Sequence, residues 1–191
     1  MATLIAYASL VAAPWKNGGG STRELAVSPP GAQLDNFDWR ISVAAITADG
    51  AFSVFPGIDR SLLLLEGECV RLTLDGARTV LLDAANPMLW FPGEAQVDAQ
   101  VSGATLDFNV MTRRSRCRHQ LETLAAPCQL VRRSTSTLLF VAGDGPLLAR
   151  GGRQAFTLGR HDALLLDADD APHWQLDATD AASVFLVDLF T

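Results

Sequence analysis

Leu62-Leu63-Leu64-Leu65-Glu66-Gly67-Glu68 is a short apolar run closed by a glycine between two acids, and Val70 to Leu74 is a second run ending in Asp75-Gly76. The dipeptide accepts the positive backbone dihedrals of a tight hairpin, so the stretch reads as strand, turn, strand, hairpin. The same grammar recurs at Trp39 to Ala44, Thr79 to Leu82, Met88 to Phe91, Ala104 to Met111, Leu138 to Val141, Ala163 to Leu166 and Ser183 to Phe190. Asp49-Gly50, Asp144-Gly145 and Gly151-Gly152 punctuate these runs. No window sustains a helical period, and the predicted fold class is all-β.

The opening stretch also repeats. Leu62 to Glu68 matches Leu138 to Asp144 at an offset of 76, and the Asp75-Gly76 hairpin matches Gly151-Gly152 at the same offset. One residue further on, Asp107-Phe108-Asn109-Val110 falls on Val184-Phe185-Leu186-Val187. Strand, glycine, hairpin and a closing apolar strand, twice over, predict two tandem jelly-roll β-barrels in one chain. Residues 1–115 form the first barrel, 116–127 a linker or short helix centred on Cys117 to Ala126, and 128–191 the second barrel, with an N-terminal strand free to pair across barrels.

Composition narrows the function. The chain has 191 residues with 21 acidic and 15 basic side chains, a formal net charge of −6, which disfavours a nucleic-acid partner because that binding rests on neutralising phosphates. No apolar run reaches the length that spans a bilayer. Leu4 to Pro14 lacks a preceding basic residue and reads as a first strand and not a signal peptide. Cys69, Cys117 and Cys128 are odd in number and form no CxxC pair, the usage of a reduced, cytoplasmic protein.

The two halves differ where chemistry could reside. Strand period puts Asp107, Asn109, Met111 and Arg113 on one face and Phe108 and Val110 on the other. The matching second-half positions, Val184 and Leu186, suit packing alone. Either the polar face lines the first barrel as a site, or it faces solvent, and sequence does not set the phase. Trp15-Lys16-Asn17-Gly18-Gly19-Gly20 carries the chain's one lysine beside 14 arginines, and consecutive glycines allow a backbone nest for an anion. Arg40 alternates with Trp39, Ile41 and Val43, and Asp59-Arg60 stands at a strand entrance, where an arginine can fork onto a ligand carboxylate or pair with a surface acid.

Other chemistry finds little support. The three histidines, His119, His161 and His173, all follow residue 118, so the first half lacks the imidazoles of a β-barrel metal site, and no metal or cofactor is expected. There is no GxSxG elbow, and catalytic residues are not assigned. Arg113 to His119 is a basic patch that reads as a solvated segment whose arginines pair with acids.

Taken in order, Trp15-Lys16-Asn17-Gly18-Gly19-Gly20 with Thr22 and Glu24, Trp39-Arg40-Ile41-Ser42, Phe55-Pro56-Gly57-Ile58-Asp59-Arg60 and Asp107-Phe108-Asn109-Val110-Met111 resemble the HutD/Ves family over residues 10–115. The resemblance implies a bicupin fold and a bacterial cytoplasmic protein tied to histidine utilisation, or to stress response in the Ves branch. It implies a non-catalytic sensor or governor that binds a small carboxylate such as N-formyl-L-glutamate. On that reading the ligand is held by Lys16, Asn17, Gly18, Gly19, Arg40, Asp59, Arg60, Asp107 and Asn109, and a homodimer is open. The alternatives are a cofactor-free isomerase or amidohydrolase with Asp107 or Asp59 as base beside Lys16, and an interaction protein without a ligand.

Overall fold

Hairpins organise the chain. At Asp75-Gly76 both residues adopt positive φ, 51° and 66°, the conformation that lets two strands turn back with only a tight connection. The structure, a computed structural model, describes residues 1–178 and 182–191. The strands up to Arg113 are β1 (Thr3–Ile5), β2 (Ala13–Pro14), β3 (Gly20–Ser28), β4 (Trp39–Ile46), β5 (Gly50–Ala51), β6 (Ile58–Glu66), β7 (Val70–Leu74), β8 (Arg78–Leu82), β9 (Met88–Pro92), β10 (Val97–Val101) and β11 (Thr105–Arg113). They continue as β12 (Arg118–Ala126), β13 (Cys128–Val131), β14 (Ser136–Val141), β15 (Leu147–Gly151), β16 (Gln154–Leu158), β17 (Ala163–Leu166), β18 (His173–Ala178) and β19 (Ala182–Phe190).

These strands form two units, each with two antiparallel sheets. Residues Val11–Cys117 make one, with strand orders β2-β3-β4-β11-β6-β9 and β5-β10-β7-β8. Met1–Leu10 and Arg118–Thr191 make the other, with orders β1-β17-β14-β19-β12 and β13-β18-β15-β16. The run β4-β11-β6-β9 corresponds to β12-β19-β14-β17, and β5-β10-β7-β8 to β13-β18-β15-β16, so the internal repeat is a repeat of topology.

Three expectations need correction. Residues 116–127 are neither linker nor helix: Arg118–Ala126 is strand β12, paired along its length with β19. Its residues alternate between exposed and half-buried, so it carries no apolar run to announce a strand. Leu4 to Pro14 is two short strands with a 3-10 turn, Tyr7–Ser9, between them, and the first pairs with β17. The repeat offset of 76 is one residue short for the β6 and β14 region. Leu62 and Leu64 point into their unit's core with Val70 and Leu72, and Leu139 and Val141 do so with Leu147 and Ala149. The offset that maps inward onto inward is 77, because a one-residue slip reverses every side chain of a strand.

The interior of the second unit is apolar at Val184 and Leu186 but not throughout. Asp188, 1% exposed, accepts from Ser134 Oγ at 2.6 Å and Thr137 Oγ1 at 3.1 Å, with Arg133 Nη2 at 3.6 Å. Every oxygen of this buried acid is thus engaged.

Candidate functional site

Register decides which way the polar face of β11 points. Asp107 pairs with Ala44 on β4 and Leu64 on β6, Asn109 with Ser42 and Leu62, and Met111 with Arg40 and Arg60. Directly paired residues share a face, and Leu62 and Leu64 lie in the core between the two sheets. Asp107, Asn109, Arg40 and Arg60 therefore face inward, and the open alternative of a solvated face falls. On β3, Thr22 and Glu24 join through Ala44 and Ser42.

The arginine rung is only half neutralised: Arg40 has an acid against it and Arg60 has none. Arg60 is 5% exposed, and its guanidinium lies 4.8 Å from the Phe91 ring, 5.4 Å from Phe52 and 5.6 Å from Phe55. Its polar contact is Nη1 donating to Ser53 O at 3.4 Å, and its Nε is buried with no acceptor. Burial, and then the charge of Arg40, push its pKa down to about 10, so it remains a cation at neutral pH. Arg40 Nε donates to Glu24 Oε2 at 2.7 Å. One rung up, Asn109 Oδ1 is buried and unpartnered; one further, Asp107 Oδ2 accepts from Thr105 Oγ1 at 3.1 Å while Oδ1 has no donor. A buried polar atom without a partner costs about 1 to 3 kcal/mol. Three such atoms on one interior face contrast with the satisfied Asp188 of the other unit.

Burial pushes the Asp107 carboxyl up to about 7, with the Thr105 hydroxyl pulling weakly the other way. A folded value above the unfolded one, about 3.9, means that the protonated form favours the fold and that this stability is lost as pH rises from about 4 to about 7. Asp107→Asn is therefore expected to be more stable than the wild type at pH 8, and the gap should narrow by on the order of 2 kcal/mol at pH 5. Urea titrations of both proteins at the two pH values test this; a gap independent of pH would refute it.

The remaining predicted site residues lie elsewhere. Asp59 sits on the opposite face of β6 from Arg60, 2.8 Å from Arg114 Nη2, which also holds Glu94. The glycine turn uses its own donors: Gly18 N donates to Trp15 O at 3.0 Å and Gly19 N to Asn17 Oδ1 at 3.1 Å. Gly18, Gly19 and Asn17 thus close a turn and do not form an open nest. Lys16 is exposed in that turn, beyond the Gly20–Ile46 rung. Ile46 is six residues from Arg40, about 20 Å along the strand, so Lys16 and Arg60 do not converge on one small ligand. Arg113 tethers the 35–37 loop through Phe37 O at 2.8 Å and Asp35 O at 3.0 Å.

Glu24, Ser42 and the aromatic cage of Phe52, Phe55 and Phe91 were not singled out as site residues. A β-bulge between Glu24 and Ala26 changes the facing of β3, and no residue pattern marks it. The aromatic spacing Phe52-Ser53-Val54-Phe55 ahead of Pro56 was the available signal.

A metal does not fit this face. Metal sites in such barrels are built from histidines and carboxylates. Residues 11–117 contain no histidine, and two guanidiniums project where a cation would sit.

Comparison with known proteins gives the same frame. A HutD family model matches residues 7–186. An uncharacterised 21.2 kDa protein in the hutC 3′ region of Pseudomonas putida is 36% identical over 163 residues, 82% of each chain. Protein Ves of Citrobacter koseri is 42% identical over 106 residues, 54% of each, so that match spans about half of either chain. A conserved protein of unknown function from Pseudomonas aeruginosa PAO1 superposes with TM-score 0.92 at 32% identity, covering 100% of both chains. HutD from Pseudomonas fluorescens SBW25, solved in a formate condition, gives 0.85 at 28% identity over 100% of this chain and 98% of that one. A cupin 2 conserved barrel protein from Leptotrichia buccalis, 11% identical, gives 0.64 over 97% and 95%, which places the fold among the cupins. By a match that runs nearly end to end, the chain belongs to the HutD family.

Proposed function

We propose that this protein binds a small carboxylate metabolite within the unit of residues 11–117 and serves histidine utilisation as a sensor or governor, without turning the ligand over. The observation that carries the reading is Arg60: a guanidinium 5% exposed, with no acid against it and a buried Nε lacking an acceptor. A permanent charge held dry at this cost suits a site whose anion arrives from outside. Arg40 supports it from the same rung, and the hut-region relative supports the pathway. N-formyl-L-glutamate, a histidine-degradation intermediate, is the ligand to test first.

Arg60→Ala is expected to weaken that ligand by about 10- to 150-fold, the equivalent of about 1.5 to 3 kcal/mol for a hydrogen bond to a charged group. Titration calorimetry on both proteins decides it, and equal affinities would overturn the assignment. NMR of the ligand incubated with protein should show no chemical change; turnover would favour an enzyme with Asp107 as base.

A further inference from the structure

The unpartnered atoms on the interior face are not alike. At one end Arg60 Nε is a donor in need of an acceptor; farther along, Asn109 Oδ1 and Asp107 Oδ1 are acceptors in need of donors. Asn109 lies one rung, about 6.7 Å, from the arginines, and Asp107 lies two. Asn109 is 8% and Asp107 0% exposed, so neither can use bulk water.

We infer that the acid bound here carries an N–H-bearing group at the end remote from its carboxylate, received by Asn109 Oδ1 and Asp107 Oδ1. The inference rests on the carboxylate-binding reading above and deepens it. Above pH 7 a plain dicarboxylate fits poorly, because its second anion would be set against an ionised Asp107 carboxylate and the Asn109 amide oxygen, neither of which has a proton to give. Aligning an ammonium or amide N–H there satisfies both acceptors, and with an ammonium it adds a charge-assisted bond.

The charges around Asp107 favour this polarity. The charged side chains on its own sheet's interior face are Glu24, Arg40, Arg60 and, at the far end of β11, Arg113, with Glu24 already spent on Arg40 and Arg113 on the 35–37 loop. Val70, Leu72, Val97 and Ala99 supply an apolar wall from the facing sheet. Beyond its end of the barrel, Lys16 and Glu66 are exposed to solvent. A ligand cation at Asp107 is thus the partner that would keep this buried carboxylate ionised. Since the group otherwise titrates near 7, binding of such a ligand should weaken as pH falls below that value.

Two five-carbon acids that differ only at the far end test it: 5-aminopentanoate, with an ammonium, and glutarate, with a second carboxylate. Calorimetry at pH 8 is expected to find the amino acid bound at least tenfold tighter, with the ratio shrinking at pH 6 and collapsing in Asp107→Asn. Glutarate bound as tightly or tighter, with both ligands lost in Arg60→Ala, would overturn the inference and leave the carboxylate reading standing. Binding indifferent to Arg60→Ala, or no binding of either acid or of N-formyl-L-glutamate, would overturn both.

Discussion

Gly20→Ala should lower the melting temperature by roughly 6 to 12 °C, more than any other substitution in the glycine turn. A Cβ at this position would overlap the carbonyl oxygen of Ala45, a backbone atom of the neighbouring strand that cannot rotate aside. It would also come within 3.1 Å of the Trp15 ring, which is held in place by its Nε1–H donating to Thr22 Oγ1 at 2.8 Å. Overpacking of this kind costs about 3 kcal/mol when the obstacle is backbone, and each kcal/mol moves a chain of this size by about 2 to 4 °C. Gly18 supplies the control. It has φ +74° and open space around it, so Gly18→Asn, a residue tolerant of left-handed backbone, should be mild. Thermal melts of the two variants separate a packing glycine from a turn glycine. Equal melting temperatures would remove the steric account.

Trp174→Ala should be at least as damaging, at about 3 to 5 kcal/mol, the range for deleting a buried aromatic. The ring is 2% exposed, stacks on Phe156 at 6.2 Å and donates from Nε1 to Ala171 O at 2.9 Å. It also lies flat against Gly151, where any Cβ would enter the ring. The whole side chain is thus enclosed, and the void left by alanine cannot close over a glycine that offers no side chain. Trp174→Phe, which keeps most of the area and loses one hydrogen bond, should recover more than half of the loss. The check is the urea midpoint at unchanged slope; a loss below about 1 kcal/mol would show that the wall around Trp174 relaxes freely.

Strand positions were legible wherever a buried face wrote an apolar run: Val70 to Leu74 and Ala163 to Leu166 are strands with those very bounds. β12 escaped because Arg118, Gln120 and Glu122 on an edge are polar on one side while His119 and Leu121 are only half-buried on the other. The site was legible in part. Asp107 and Asn109 stood out as polar residues alternating with Phe108 and Val110, and their orientation followed once Leu62 and Leu64 were paired to them. Asp59 and Arg60 are adjacent in sequence, and that adjacency is what sends them to opposite faces of a strand. The glycine turn misled because consecutive glycines look alike in sequence, whereas here the donors of Gly18 and Gly19 are spent on Trp15 and Asn17. Glu24 depends on a bulge, a two-against-one mismatch that exists only once two strands are aligned.

The pairing of β1 with β17 sets a timetable for synthesis. Thr3 meets Leu165, so β1 must wait while about 160 residues are made, on the order of 8 to 32 s at ordinary elongation rates. Every sheet partner in residues 11–117 lies within that stretch and is on hand once it has emerged. The unit of residues 11–117 is thus born complete, while the other is finished by the return of β1. A bulky fusion that immobilises the first ten residues would accordingly leave the edge of β17 bare and spare the sheets around Arg60.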